Sequence, residues 1–398
     1  MNIKSLLLGS AAALVAVTGA RAADAVVVAE PEPVEYVRVC DVYGSGFFYL
    51  PGTETCLKIG GYVRVDIRAG DFFETISNSG DETYNNRVRF QLRADARSET
   101  ELGTLRSYAA INFNYQRTTS NGFGDDSYDM ADFIAIEHAY IELGGFRIGK
   151  TDSYFSTFTD YSSGVMNDGI VPYGPFGTLQ IAYTYTGANG FSAGIAIEQG
   201  DESDGVNYTL FDANGDPFPQ SSDVGAGITE DYAPYVVGGL SFTQGWGKIG
   251  VVAGYDSWQQ EVAVKGRLDI NITDTASVFV MAAWDSGGDK IETETQTING
   301  VPTVVVTNNG SNYYAPWGGD WAIWGGTAIK FNEKATFNAE VGYDDFEDFS
   351  VAANIRYELV PGFAITPEVV YADNLGDDEI INAHDNEWGI NVRFQRTF

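Results

Sequence analysis

The chain has 398 residues, with 55 acids against 23 Lys and Arg and a formal net charge of −32. That balance sets aside nucleic acid and anionic membrane surfaces as partners, because both repel it. A composition rich in Gly (46), Tyr (23) and Phe (24) and poor in Pro (12) suits many short strands joined by tight turns.

Residues 1–22 read as a signal peptide: Met1–Lys4 is short and positive, Leu6–Val17 is apolar and small, and Ala20-Arg21-Ala22 is a cleavage site. The apolar run is too short to span a bilayer, which takes about 20 residues. No later run is longer, so membrane insertion demands a closed barrel of strands. Residues 23–56 form a periplasmic N-terminal segment, flexible as far as Glu35. From Tyr36 to Cys56 a short strand pair is expected, turned by Gly44, Gly46, Pro51 and Gly52. Cys40 and Cys56 are expected to pair in an oxidising periplasm, with two free thiols as the alternative. In the chain-entropy view, closing a loop of this size contributes about 3 kcal/mol.

From Leu57 onward the chain alternates with period two. Leu57, Ile59, Val63, Val65 and Ile67 share one face; Lys58, Tyr62, Arg64, Asp66 and Arg68 share the other. Arg87–Arg97, Thr104–Gln116, Phe133–Leu143 and Phe146–Lys150 follow, then Glu261–Ile272, whose polar face holds Glu261, Lys265, Arg267, Asp269 and Asn271. Short turns, as at Ser98–Gly103, Gly187–Gly190 and Val360–Gly362, alternate with long polar loops, as at Thr151–Gly177, Gly200–Ala233, Ser286–Asp320 and Asp373–Glu387. The last strand, Trp388–Phe398, puts Trp388, Ile390, Val392, Phe394 and Phe398 on one side and ends on an aromatic. The partition predicts an all-β, 16-stranded antiparallel transmembrane barrel over residues 57–398, with short periplasmic turns and long external loops. A soluble sandwich would rarely carry so many charges on one strand face. A propeller would show a blade repeat of roughly 40 to 50 residues.

Several stretches resemble the alphaproteobacterial general porins of the rhizobial and Brucella type. They include Met1-Asn2-Ile3-Lys4-Ser5-Leu6, Tyr36-Val37-Arg38-Val39-Cys40, Tyr49-Leu50-Pro51-Gly52-Thr53-Glu54-Thr55-Cys56 and Ser98-Glu99-Thr100-Glu101-Leu102-Gly103-Thr104. Gly318-Gly319-Asp320-Trp321-Ala322, Tyr357-Glu358-Leu359-Val360-Pro361-Gly362-Phe363 and Val392-Arg393-Phe394-Gln395-Arg396-Thr397-Phe398 extend the likeness to the end of the chain. The resemblance implies an outer-membrane porin, a homotrimer passing small hydrophilic solutes and ions. Outer-membrane lipid and lipopolysaccharide are its expected surroundings, and the last strand, through Phe394 and Phe398, is its expected contact with the barrel-assembly machinery.

Passive diffusion needs a wet lumen and a constriction whose charges set a preference. In porins the third long loop folds inward, which here points to Thr151–Gly177 with Asp152, Asp160 and Asp168; a loop lying out in solvent is the alternative. Arg64, Arg68, Arg87, Arg89, Arg93, Arg97 and Arg106 fall on polar strand faces and form a candidate basic wall. Either they face the loop acids across a transverse field or they pair locally with Asp66, Asp95 or Glu142. The acidic net charge favours cations and the arginine wall opposes it; the balance reads as weakly cation-selective.

His138 and His384 do not make a metal site, there is no HExxH or G-x-S-x-G, and neither catalysis nor a cofactor or metal is expected. Asp212, Asn214 and Asp216 begin like a calcium loop, but Pro217 stands where that loop needs Gly. The aromatic stretch Gly310–Trp324 reads as an outer-interface girdle, or as a sugar-stacking surface. The rival functions are a substrate-specific channel and a structural or adhesive barrel with a blocked lumen. About eight strands can be filled by their own side chains, whereas about sixteen leave water inside, which favours a channel.

Overall fold

The computed structural model describes residues 38–73, 84–119, 128–199, 207–211, 217–218, 232–287, 291–298, 301–308, 312–373 and 386–398. The expected signal peptide, the linker to Glu35, His384 and the Asp212–Asp216 stretch lie outside them.

The alternating segments become sixteen wall strands: β1 (Cys56–Ala69), β2 (Asn85–Thr100), β3 (Gly103–Thr119), β4 (Tyr128–Leu143), β5 (Phe146–Thr151), β6 (Thr178–Thr186), β7 (Phe191–Gln199), β8 (Tyr235–Gln244), β9 (Gly247–Asp256), β10 (Glu261–Thr273), β11 (Ala276–Asp285), β12 (Trp321–Lys330), β13 (Ala335–Asp344), β14 (Phe349–Val360), β15 (Phe363–Asp373) and β16 (Glu387–Thr397). Each pairs antiparallel with its neighbours in the chain, and β16 pairs back onto β1 from Tyr62↔Thr397 to Ala69↔Ile390. Closure is completed by Phe398, whose N–H donates to Gly61 O and whose carbonyl accepts from Gly61 N, both at 3.1 Å. Gly61 has φ 156°, and a Cβ there would lie 1.9 Å from the Gln91 carbonyl oxygen, so no side chain fits where β2, β1 and the chain end meet.

Side-chain burial is inverted relative to a water-soluble fold. Ile59, Val63, Ile67, Phe90, Ile134, Ile181, Leu240, Val280 and Ile390 point outward and are exposed. Asp66, Gln91, Asn112, Lys265, Glu340, Glu368 and Asn391 are buried inside. That is the arrangement of a wall between hydrocarbon and a polar interior. At the seam, Asp66 binds both neighbouring strands. Its carboxylate accepts from Arg393 Nε of β16 at 2.6 Å and from Arg87 Nη2 of β2 at 2.7 Å, with Arg68 Nη2 at 3.7 Å.

The strands run longer than the sequence pattern suggests. β4 begins at Tyr128, not Phe133. It also carries a bulge: Ala110 faces His138 while Ile111 faces Ile136, so Glu137 is an extra residue. The bulge resets the alternation, and Glu137 and His138 both turn inward. There, Asn112 Nδ2 donates to Glu137 at 2.5 Å, and His138 Nδ1 lies 2.9 Å from Thr151 Oγ1.

Two features went unread in the sequence. Residues 207–211, 217–218, 291–298 and 301–308, taken there as parts of polar loops, form a separate four-stranded antiparallel sheet linking the loops after β7 and β11. At the other end, Phe48–Tyr49 adds to the β1 edge through Phe48↔Leu57 and Tyr49↔Cys56. There Cys40 and Cys56 form the expected disulfide, with Cα atoms 6.0 Å apart.

Asp66→Ala leaves buried guanidinium groups at the seam without their carboxylate and is expected to cost about 3–5 kcal/mol. Gly61→Val is expected to block closure. Both are read from the heat needed to shift the folded band on SDS gels; wild-type mobility for Asp66→Ala would show that the seam does not depend on this cluster.

Candidate functional site

β5 stops at Thr151 because the chain turns inward there and re-enters the wall at Thr178. The inward loop, residues 152–177, opens with a one-turn helix, α1 (Tyr154–Phe158), capped by Ser153, whose Oγ accepts from Phe155 N at 3.2 Å. Tyr154, Phe155 and Phe158 are buried with Val171, Tyr173, Tyr235 and Trp324 in the principal apolar cluster. The wall makes room by lacking side chains: a Cβ at Gly194 would stand 1.8 Å from the Tyr154 hydroxyl, and one at Gly239 would stand 2.4 Å from the Phe158 ring.

Ionic side chains of the wall hold the loop by its backbone and hydroxyls. Glu198 on β7 accepts from Ser153 Oγ at 2.7 Å and Tyr154 N at 2.5 Å. Glu340 on β13 accepts from Ser162 Oγ at 2.7 Å, and Glu368 on β15 accepts from Met166 N and Asn167 Nδ2, each at 2.5 Å. From β10, Lys265 Nζ donates to Tyr173 O at 2.7 Å, and Arg267 Nη1 donates to Tyr161 O at 2.5 Å and Ser162 O at 2.9 Å. Trp324 Nε1 on β12 donates to Val171 O at 2.8 Å. Lys265 is fully buried, its ammonium 4.5 Å from the centre of the Phe155 ring. The loop thus lies against the wall from β7 round to β15, on the side away from the arginines of β1 and β2.

The three acids expected on this loop differ in setting. Asp160 is exposed, with φ 70°, and forms an ion pair with Lys248 Nζ at 2.8 Å. Asp152 accepts from the Tyr161 hydroxyl at 2.5 Å and from Gly177 N at 3.2 Å. Burial and this carboxylate together hold the Tyr161 phenol above its ordinary pKa. Asp168 accepts from the Tyr173 hydroxyl at 2.9 Å, and burial pushes its carboxyl above the usual carboxylate range.

The seven arginines also divide. Arg87 and Arg68 surround Asp66; Arg97 and Arg106 share Asp95, at 2.7 and 2.9 Å, and Arg106 reaches Glu142 at 2.8 Å. For these four, the local pairing foreseen as the alternative is what forms. Arg64, Arg89 and Arg93 are held by amides instead. Arg64 Nε donates to Gln395 at 2.8 Å, Arg89 Nε to Asn114 at 2.6 Å, and Arg93 Nε to Gln91. Among the described residues no carboxylate bridges these three, which sit together because Arg64 faces Arg89 and Gly60 faces Arg93 in the β1–β2 register.

The aromatic stretch after residue 310 is not an outer girdle. Tyr313, Tyr314, Trp317 and Trp324 are buried, and only Trp321 faces out. Tyr314 packs on Phe155 with ring centres 5.2 Å apart and donates its hydroxyl to Glu198 at 3.2 Å. In β12 the inward phase is Ala322 and Trp324, a phase readable from Trp321 and Ile323 on the other side. Glu198, Glu340 and Glu368 were also missed as loop anchors; their signal is an acid at an inward position of a wall strand. Arg147 and Arg393, which join Glu142 and Asp66 at 2.8 and 2.6 Å, carry the same signal.

Residues 24–393 match the family described as Porin subfamily. The chain is 46% identical over 403 residues to Porin Omp2b of Brucella neotomae and 47% identical over 408 residues to Porin Omp2a of Brucella melitensis, each match covering 100% of both chains. Among solved structures it is similar to the outer membrane channel DcaP of Acinetobacter baumannii, with TM-score 0.56 at 14% identity over 88% of this chain and 99% of that one. Salmonella typhi OmpF gives 0.53 at 10% identity, covering 86% and 98%; both likenesses concern the fold. The family match and the full-length relatives agree with the closed sixteen-stranded wall and its polar interior: the chain belongs to the Porin subfamily and is an outer-membrane channel protein.

Proposed function

We propose that this porin is a general passive-diffusion channel for small hydrophilic solutes and ions, weakly cation-selective and without catalytic activity. Its narrowest part lies between residues 152–177 and the inner face of β1–β3. The observation that carries this reading is the one-sided anchoring of the loop. Glu198, Lys265, Arg267, Glu340 and Glu368 draw it against β7–β15 and leave open the side where Arg64, Arg89 and Arg93 stand. Asp152 and Asp160 on the loop then oppose those three cations across the path, a transverse field that orients polar solutes. Asp66, Asp95 and Glu142 offset the other arginines, so the basic wall is weaker than its residue count suggests and the preference stays mildly cationic.

The exposed apolar outer wall suits both lipid and further copies of the chain, and we read the unit as a homotrimer set among lipopolysaccharide. Its signal peptide ends at Ala22, residues 23–56 are periplasmic, and its last strand is delivered to the barrel-assembly machinery through Phe394 and Phe398. The rival, a substrate-specific channel, gains from Tyr62, Tyr108 and Tyr140 on the inner wall. Their rings are already taken: Arg64 lies 4.4 Å over Tyr62, Arg106 4.7 Å over Tyr108 and Arg147 5.0 Å over Tyr140. Covered faces do not stack sugars, which favours the general channel.

Single-channel recording in a planar bilayer under a salt gradient tests the reading. Ohmic steps in triplets with a small cation preference are expected; a plugged barrel gives none. Arg89→Gln should raise cation preference more than Arg97→Gln, because Arg97 is spent on Asp95. Equal reversal potentials in the two variants would remove the transverse field. Lys265→Met loses the bond to the Tyr173 carbonyl and should add flicker to the open state, whereas wild-type noise would mean that the loop does not rely on it.

A further inference from the structure

The disulfide-linked segment at the start of the described chain does more than extend the β1 edge. Its backbone makes a small meander: Val39 bridges Phe48, Cys40 N donates to Phe47 O at 3.0 Å, and Phe48–Tyr49 pairs with Cys56–Leu57. The meander lies at the end of the barrel that carries the short turns, where β16 has already ended. Beyond it, residues 41–47 turn back over the inner face of β1 and β2. Three contacts fix that placement. The Tyr43 hydroxyl donates to Glu99 at 2.8 Å, and Lys58 Nζ donates to Ser45 O at 3.1 Å. The Arg97 guanidinium lies over the rings of Phe47 and Tyr43, at 5.1 and 5.7 Å. Lys58, Arg97 and Glu99 all stand in the inward phase of their strands.

Phe47 is 4% exposed, and the two Cys that tie this turn to β1 are buried beside it. Arg97 also lines a cavity of about 540 Å³ that runs past Arg106 and Arg147 to Tyr154 of the inward loop. The segment therefore forms a rim of the same space that the inward loop bounds from the other side.

We propose that residues 41–47 are a second selectivity element of the pore, a tethered rim at the periplasmic mouth, with Tyr43 and Phe47 as its specificity-determining residues and Cys40–Cys56 as its anchor. The inference rests on the diffusion-channel reading above. The rim narrows the exit and covers two cations, Lys58 and Arg97, with aromatic faces and a carbonyl. An aromatic face over a cation holds it in place and lowers its availability to a passing anion. Glu99 keeps a second partner in Thr104 Oγ1 at 2.9 Å, so removing the rim uncovers more positive than negative charge. The rim thus works with the loop acids in favour of cations, at a separate depth of the channel.

The test compares wild type, a Tyr43→Ala/Phe47→Ala variant and a Cys40→Ser/Cys56→Ser variant, each purified as the full mature chain and checked for heat-modifiable folding. Unit conductance and reversal potential are recorded in potassium chloride gradients. The inference expects both variants to conduct more than wild type and to shift toward anions, with the aromatic variant sufficient alone if the Cys variant does not fold. Folded variants with wild-type conductance and reversal potential would overturn it and leave the channel reading intact. A wild type without steps overturns the channel reading itself, and the rim with it.

Discussion

A strand edge cannot face hydrocarbon, because no water is there to satisfy its N–H and C=O groups. The rest of this structure follows from meeting that constraint at one place, the junction of β1 and β16. The ladder from Tyr62↔Thr397 to Ala69↔Ile390 joins the two ends of the wall, and the Gly61–Phe398 pair finishes it. The final residue is thus part of the closure. Asp66 adds a side-chain contribution at the same seam by holding Arg393 and Arg87 from opposite sides. A buried carboxylate is costly alone but is stabilised here by charge-assisted hydrogen bonds from both neighbouring strands.

Closing sixteen strands leaves an interior too wide for wall side chains to fill. The loop after β5 takes up part of that space. Its apolar residues cover each other and the inward aromatics of β8 and β12, while its backbone polar groups need partners that a simple strand face does not offer. The wall supplies ionised side chains for this: carboxylates for the loop donors and an ammonium and a guanidinium for its carbonyls. These charges are spent on positioning. The charges left available to solutes are those with no such task, which is why Arg64, Arg89 and Arg93 matter more than the count of basic residues on the wall.

Most of the wall was legible because a strand between lipid and water must alternate, and the alternation of Leu57–Ile67 or Glu261–Ile272 leaves little choice of face. The disulfide was legible from the compartment. The bulge at Glu137 was not, since Glu137 and His138 are both polar and nothing local marks which one is extra. The buried aromatics of residues 313–324 were misassigned for a related reason: Tyr and Trp serve equally at a membrane interface and inside, and only strand phase separates the two. Alternation also shows that Lys265 points inward but not that it meets the Tyr173 carbonyl, a contact between residues far apart in the chain. The external sheet escaped because its strands belong to two distant loops, and long-range pairing has no local signature.

Net charge is the feature most easily over-read in this chain. A value of −32 describes the whole molecule, yet a solute in the lumen feels only charges within a Debye length, about 8 Å at physiological ionic strength. Many acids lie on loop stretches such as Gly200–Asp204 and Asp373–Glu379, and others are engaged inside: Glu198, Glu340 and Glu368 on the loop, Asp66 and Asp95 on arginines. What remains along the path is a small set of opposed groups, so selectivity depends on which side chains are already committed to holding the fold. The same logic makes a cation covered by an aromatic ring, such as Arg97 beneath Phe47, different from an equal charge facing water.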